Sequence, residues 1–424
     1  MQDEIYERLE RRKQKLKEVR KKHIIAYEKE LAEAKEKGRS VVWSTSLMPV
    51  EILKTMDLFL YYPELECGNS SVDGQMGYFC EEAEKIGGFS RDVCSFIKGA
   101  IGGMYKGERA RGRFLPQPDL VIGEGTQCDA FNKGWEIVSR HYEVPLFRLD
   151  GPYYFKDPIQ NHELEWGISE IKRMITFLET HTKTRFDWDK FKEIMKLSTQ
   201  VFDIIVEILE YRKSVPQPVS IFDSMRHWSH LVLHLGTEAS MEYWPIVLED
   251  VRERVEHGVG VVENERFRLW YDQVPLYHML DYFDYLRKRG AAISYEANWL
   301  GFILGMYLNG HRYDPEKPLE TLALKHFYGH LNTGLPGQIQ RAIQIVKEWR
   351  IDGAIIPANT TCKLYSQSVL EKSRILREAC GIPSLLFDID CFDERDTDKN
   401  KILRDTDQFL EILASEKTER GGQV

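Results

Sequence analysis

The sequence predicts an α/β protein: two parallel-sheet units with helices before and between them. Three observations carry this expectation. Short apolar runs alternate with helical periodicity from about residue 40 to residue 150, as parallel strands with helical crossovers do. The same alternation returns after residue 263. Between the two lies a long stretch of helical period with few breakers.

Residues 3–38 are charge-rich, with apolar positions at Ile5, Leu9, Leu16, Val19, Ile24, Ile25, Tyr27, Leu31 and Ala34. That is an amphipathic helix ended by Gly38, and its basic run Arg8–Lys22 reads as a solvated face. Ser40–Ser46 reads as a strand, Pro49 opens a helix, and Met56–Tyr61 is a second strand candidate ahead of Cys67. Residues 75–88 are predicted helical and carry Cys80. Ser90 is predicted to cap a further helix that carries Cys94. Asp119–Gly123 and Pro145–Leu149 read as strands, with Cys128 just past the first. Helical periodicity covers 163–213 and 219–256, broken at Pro216-Gln217-Pro218. In the second half Phe267–Asp272 and Ala291–Tyr295 read as strands, Val274–Arg289 and Gln338–Trp349 as helices, and the segment up to Leu308 as helical. The boundaries expected are 1–39 for a helical arm, 40–155 for the first α/β domain, 156–262 for a helical connector and 263–424 for the second α/β domain.

The stretch Asp352–Asp393 is the densest in signals. Ala354–Pro357 reads as a buried strand, Cys362 follows it, and a helix is predicted over Lys363–Ala379 and stopped by Gly381-Ile382-Pro383. A second strand, Ser384–Ile389, ends near Cys391. This is a β-α-β unit of the Rossmann/flavodoxin-like kind, in which ligands sit beyond the carboxyl ends of the strands. The tail after Ile412 is polar and is expected to fray.

Composition sets outer limits. Of 424 residues, 42% are hydrophobic, enough for real cores. A net charge of −9 argues against a nucleic-acid surface. No apolar run approaches the ~18–20 residues of a membrane span, and the N-terminus lacks the apolar core of a secretory signal. A cytoplasmic protein without membrane contact is expected, with its seven cysteines reduced. None forms a C-x-x-C pair. No G-x-x-x-x-G-K-[ST] loop is present, and Gly123-x-Gly125 is only a fragment of a dinucleotide fingerprint.

Cysteine thiolates hold iron–sulfur clusters, commonly four to a cubane. Cys380 lies at the far end of the helix predicted after Cys362, on the order of 25 Å away, and suits a buried inert thiol. Cys67, Cys80, Cys94, Cys128, Cys362 and Cys391 remain as candidate ligands. Cys80 has the least direct placement, since its helix does not by itself aim it at a site.

The chain resembles the 2-hydroxyacyl-CoA dehydratase and benzoyl-CoA reductase superfamily over nearly all its length. The resemblance rests on Tyr62-Pro63-Glu64, Gly88 to Ser95 with Ile101-Gly102, Val121 to Asp129, Cys362-Lys363, and Gly381-Ile382-Pro383 to Arg395. In that family three cysteines per subunit hold a cubane, and Cys94, Cys128 and Cys362 match them. Cys67, Cys80 and Cys391 are additional. Six thiols resemble the double-cubane cluster proteins of the superfamily. The resemblance implies a homodimer carrying an [8Fe-9S] cluster. It also implies a separate ATP-hydrolysing iron–sulfur activator and low-potential electrons delivered to a small substrate, as in acetylene reduction. The alternative is a dehydratase or aryl-CoA reductase subunit with one [4Fe-4S] cluster and an acyl-CoA site. A non-catalytic electron carrier is a third reading.

Other residues carry less. Gln127, Asn359 and Lys363 flank candidate ligands and are placed to hydrogen-bond cluster sulfurs. Asp129, Asp388, Asp390 and Asp393 read as caps and ion pairs. His227, His230 and His234 share a helix face and offer metal nitrogens as one reading, but they sit among Trp228, Leu231, Val232 and Leu233, which favours satisfied or surface histidines. Trp43, Tyr61, Tyr62, Tyr153, Tyr154 and Trp299 read first as core packing.

Overall fold

Short runs of β-branched and aromatic residues form the strands, and nearly all of their side chains are buried, as parallel strands covered on both faces require. The computed structural model describes residues 2–126, 128–155, 158–296 and 305–421. Ten strands are present among them: β1 Val41–Ser44, β2 Phe59–Tyr61, β3 Glu108–Arg109, β4 Arg113–Phe114, β5 Leu120–Glu124, β6 Leu146–Leu149, β7 Phe267–Tyr271, β8 Ala291–Glu296, β9 Gly353–Asn359 and β10 Ser384–Ile389. Two four-stranded sheets have the orders β2-β1-β5-β6 and β10-β9-β7-β8, and every pair within them is parallel. In each, the winding reverses between the first and third strands: β1/β5 in one, β7/β9 in the other. Ligand crevices open at such reversals. The remaining pair, β3 and β4, is a two-residue antiparallel ribbon.

Helices connect and cover the sheets. The N-terminal helix Gln2–Glu33 packs along Glu238–Glu256, tied by Arg12 to Glu253 at 2.5 Å. Its buried face holds Ile5, Leu9, Val19 and Leu31, but Ile24 and Ile25 point to solvent and His23 takes the inward position. The predicted 163–213 segment is two helices, Asn161–Thr182 and Trp188–Tyr211. Asp187 caps the second by accepting from the Asp189 and Lys190 amides. One apolar core runs from the first sheet through these helices to the second sheet, reaching from Val42 to Ile356.

Several local expectations change. The helix expected to start at Ser90 starts at Ser95, with Cys94 as its N-cap, because the Ser90 hydroxyl is spent on the Asp92 carboxylate at 2.5 Å. The helix expected over Lys363–Ala379 is broken into Lys363–Ser366 and Val369–Cys380. Val274–Arg289 contains a single 3-10 turn and the short helix Asp281–Lys288. The tail does not fray after Ile412: helix Lys399–Gly421 runs through it, held by Lys417 on Asp352 at 2.7 Å and Arg377 on Glu416 at 2.9 Å. Much of the segment expected to be helical before Leu308, and with it Trp299, lies outside the described residues.

Glycine matters at two close approaches. A Cβ on Gly123 of β5 would lie 2.3 Å from the Trp135 ring, so glycine lets that indole lie against the strand. A Cβ on Gly102 would lie 1.8 Å from the Phe79 carbonyl oxygen. Its absence lets Ser95–Lys106 press against Met76–Gly87, the helix of Cys80.

Candidate functional site

The two winding reversals face one cleft. Thr45, Ser46 and Leu47 enter from beyond β1, Glu124 and Cys128 from the end of β5, Gln273 and Val274 from beyond β7, and Asn359, Thr361 and Cys362 from the end of β9. The segment Cys94–Phe96, with Phe131, Trp135, Trp228, Tyr277 and Phe392, completes the wall. Its empty space, open mouth included, is about 1120 Å³.

Three of the six candidate thiols line this cleft: Cys94, Cys128 and Cys362. Each is the N-cap of a helix, before Ser95–Lys106, Asp129–Tyr142 and Lys363–Ser366 respectively. The first free amides of each helix favour the thiolate: Phe96 and Ile97 at Cys94, Ala130 and Phe131 at Cys128, Leu364 and Tyr365 at Cys362. Exposed N–H groups and the positive end of the helix dipole make such termini anion sites. Burial opposes this and prevails. It pushes all three thiols up, Cys362 to about 11, and the neighbouring thiols add to the rise at Cys94 and Cys362. These are therefore not free reactive thiolates. They are protonated thiols that a bound cation would convert to ligands.

The other three thiols lie behind the wall. Cys67 is on helix Pro63–Val72 rather than in a turn past a strand, with its Sγ 3.1 Å from the Phe96 carbonyl oxygen. Cys80 is fully buried with its Sγ 3.4 Å from the Ser95 carbonyl oxygen. Cys391 is fully buried beside Asp390 and receives help from the Asn359 side chain. Burial raises all three, and the nearby Cys80 adds to the rise at Cys67. The backbone of Ser95 and Phe96 thus forms a partition between the cleft and Cys67 and Cys80, while Cys391 shares their core cluster yet stands near enough to Cys362 for that thiol to raise its pKa. A stack of rings, Tyr277 on Phe392 on Phe96, closes the partition, with centroids 5.1 Å and 4.3 Å apart. Cys380 is remote from both sets and packs on the larger core.

Asp390 fastens these segments together. Its Oδ1 accepts from the Ser95 hydroxyl at 2.7 Å and from the Phe392 and Asp393 amides at 2.9 and 3.0 Å. Its Oδ2 accepts from the Thr361 hydroxyl at 2.7 Å. One carboxylate therefore ties the residue after Cys94, the residue before Cys362 and the turn after Cys391. Asn359 is buried on the cleft wall, and its Oδ1 accepts from the Thr361 amide at 3.2 Å. Lys363 is exposed and donates to the Thr360 carbonyl at 2.9 Å. Asp129 and Asp388 are exposed, and Asp393 pairs with Arg395. Gln127 lies outside the described residues.

Two buried carboxylates also line the cleft, Glu64 from the Tyr62-Pro63-Glu64 segment and Glu124 from the Val121 to Asp129 segment, and neither was among the candidate site residues. Glu64 accepts from the Ser46 amide at 2.8 Å. Burial raises its pKa against the Thr45 and Ser46 hydrogen bonds, and the Glu124 charge adds to the rise. Neither oxygen of Glu124 accepts a hydrogen bond among the described residues; His326 Nδ1 lies 3.4 Å away. The Trp135 indole N–H is likewise buried and unpartnered among them. Three thiols at three helix N-termini, with unsatisfied polar atoms around one enclosed space, fit a metal–sulfur group in donor chemistry and in charge.

Comparison with known proteins agrees in extent. The family described as "2-hydroxyglutaryl-CoA dehydratase, D-component" matches residues 45–413. A benzoyl-CoA reductase subunit of Thauera aromatica is 26% identical over 89% of this chain and 90% of its own length. The (R)-phenyllactyl-CoA dehydratase alpha subunit of Clostridium sporogenes is 26% identical over 89% and 93%. The (R)-2-hydroxyglutaryl-CoA dehydratase alpha subunit of Acidaminococcus fermentans is 21% identical over 87% and 90%. No helix among the described residues is long and apolar enough to cross a membrane.

Proposed function

The chain belongs to the 2-hydroxyglutaryl-CoA dehydratase D-component family, and on that premise we propose that it is an iron–sulfur subunit of a dehydratase or reductase whose reaction takes place in the cleft. Cys94, Cys128 and Cys362 would hold the cluster. The observation that carries this reading is the convergence of three thiols: Cys94 and Cys128 cap the helices Ser95–Lys106 and Asp129–Tyr142, Cys362 caps the single turn Lys363–Ser366, and all three line one space. When bound, an iron–sulfur cluster supplies low-potential electron transfer and an iron for a substrate oxygen or carbonyl. The chain's own groups do the rest. Phe96, Phe131, Trp228 and Tyr277 exclude water. Glu64, its pKa raised by burial, places a carboxyl group at the cleft wall as a candidate for proton transfer. The relatives' names support a CoA thioester as substrate class and a partner subunit.

A second reading is favoured by the thiols behind the wall. Cys67 and Cys80 contact the two carbonyls that follow Cys94, and Cys391 adjoins the Asp390 hub. Six thiols in one region support a double-cubane [8Fe-9S] cluster. That reading implies a homodimer, reduced by an ATP-hydrolysing iron–sulfur activator and acting on a small substrate. Iron and sulfide counted on anaerobically purified protein decide: about four irons per chain support the single cubane and about eight the double one. Absence of iron from material prepared and handled without oxygen would overturn both. Turnover of an acyl-CoA with a second subunit, or of acetylene with activator and ATP, then assigns the substrate.

A further inference from the structure

A second cluster of ligating side chains lies on the outer side of the helix that sends Trp228 into the cleft. That helix, Ile221–His234, carries His230 and His234 four residues apart, so both imidazoles leave the same face. The N-terminal helix lays His23 across them. His23 Nδ1 is 3.0 Å from His230 Nε2, and one ring nitrogen from each of the three residues lies within 4.8 Å of the other two. Among the described residues, no other trio of His, Cys, Asp or Glu comes together as closely. His227, the third histidine on this helix, is used elsewhere, its Nδ1 2.8 Å from the Tyr243 hydroxyl.

Hydrogen bonding alone leaves the trio unsatisfied. Glu242 Oε2 lies 3.0 Å from His23 Nε2 and also takes Lys22, so Nε2 carries the proton and Nδ1 of a neutral His23 is a bare acceptor. His230 must then donate its Nε2–H to His23, which strips its own Nδ1. That atom is buried, in a side chain only 2% exposed, and has no partner among the described residues. The ring nitrogens of His234 make no hydrogen bond among the described residues. The cation competing for this space is Lys54. It is half-buried and donates to the Leu233 and Leu235 carbonyls at 3.0 and 2.6 Å.

We propose that His23, His230 and His234 form a binding site for a divalent transition-metal ion, filled by Zn²⁺, that pins the N-terminal helix to the helix behind the cleft. Three neutral imidazoles are a zinc donor set, with water as the fourth ligand. Ligand nitrogens on tetrahedral zinc stand roughly 3.3 Å apart, so the His23–His230 pair would open slightly while His234 moves closer. Glu242 then holds the outer N–H of His23, the carboxylate–histidine arrangement that orients metal ligands. His234 is half-buried and gives the ion a way in. This site shares no residue with the cleft.

The test is a Zn²⁺ titration of the full chain as purified under anaerobic conditions, followed by zinc K-edge absorption. One zinc per chain is expected, with a shell of nitrogen and oxygen at about 2.0–2.1 Å and no sulfur at about 2.3 Å. His234→Gln and His23→Gln should each weaken binding at least tenfold, and bound zinc should slow proteolysis within residues 2–33. A sulfur shell, far less than one zinc per chain, or unchanged affinity in His234→Gln would overturn the proposal. If His23→Gln does not fold, the absorption spectrum of the parent chain and the His234→Gln affinity still decide.

Discussion

Replacing Asp390 tests whether one carboxylate organises the cysteine-bearing segments. Alanine there removes four hydrogen bonds at once: two from the Ser95 and Thr361 hydroxyls and two from the Phe392 and Asp393 amides. Thr361 has a fallback, because its hydroxyl already lies 3.3 Å from Asn359 Oδ1. The two amides have none in the same geometry, and each buried donor left unmade costs about 1–3 kcal/mol. With the lost hydroxyl bonds the local cost comes to about 3–5 kcal/mol, discounted for non-additivity. Asparagine keeps the Oδ1 acceptor and loses mainly charge assistance, about 1 kcal/mol. A chain of this length does not unfold in one step, so hydrogen–deuterium exchange over residues 390–396 is the right measure. At 1.4 kcal/mol per tenfold, protection should fall about 10²- to 4 × 10³-fold in Asp390→Ala and about tenfold or less in Asp390→Asn. Iron retention should follow the same order. Protection in the alanine variant within threefold of the parent would show that the hub does not hold these segments.

Other perturbations discriminate further. Serine at Cys94, Cys128 or Cys362 should at least halve the iron content of anaerobic preparations, while Cys380→Ser should leave it unchanged. Cys391→Ser separates the two cluster readings, lowering iron only if the buried thiols are ligands. Arg395 and Lys98 hold Glu84 down at about 2 from 4.5, so its stabilisation is complete above pH 4.5 and is lost as pH falls through 2. Glu84→Gln should therefore lower stability at pH 6 by about 1 kcal/mol after solvent screening, read as a lower thermal midpoint, and flatten the decline of that midpoint between pH 4.5 and 2. Gly102→Ala gains about 1 kcal/mol of helix propensity but drives a methyl into the Phe79 carbonyl, so a net loss of about 1–2 kcal/mol is expected in thermal denaturation.

What could be read from the chain followed from how local each signal was. Apolar runs bounded by glycine or proline placed the strands of both sheets, because a buried parallel strand needs little else. Cys94 was displaced by an ambiguity in capping. Ser90 has the side chain of a cap and Cys94 does not, yet Ser90 bonds Asp92 and the sulfur takes the N-cap. Helix Lys399–Gly421 gave no clear period because its apolar positions are sparse among charges. The three cleft thiols were legible as residues near strand ends or crossovers. The burial of Glu124 was not, since a carboxylate ending an apolar strand also fits a solvated edge. His23 was hidden for another reason: its partner His230 lies 207 residues away, and Ile24 and Ile25 offered a more hydrophobic, but wrong, inward face.

The split origin of the cleft has a consequence for biogenesis. Cys94 and Cys128 leave the ribosome with the first sheet, and Cys362 follows more than two hundred residues later with the second. Until then the early pair faces open solvent with no opposite wall. Whatever the cleft is to receive must wait for a finished polypeptide, so loading is a step of maturation that follows translation. A truncated or stalled chain would expose two thiols but trap nothing.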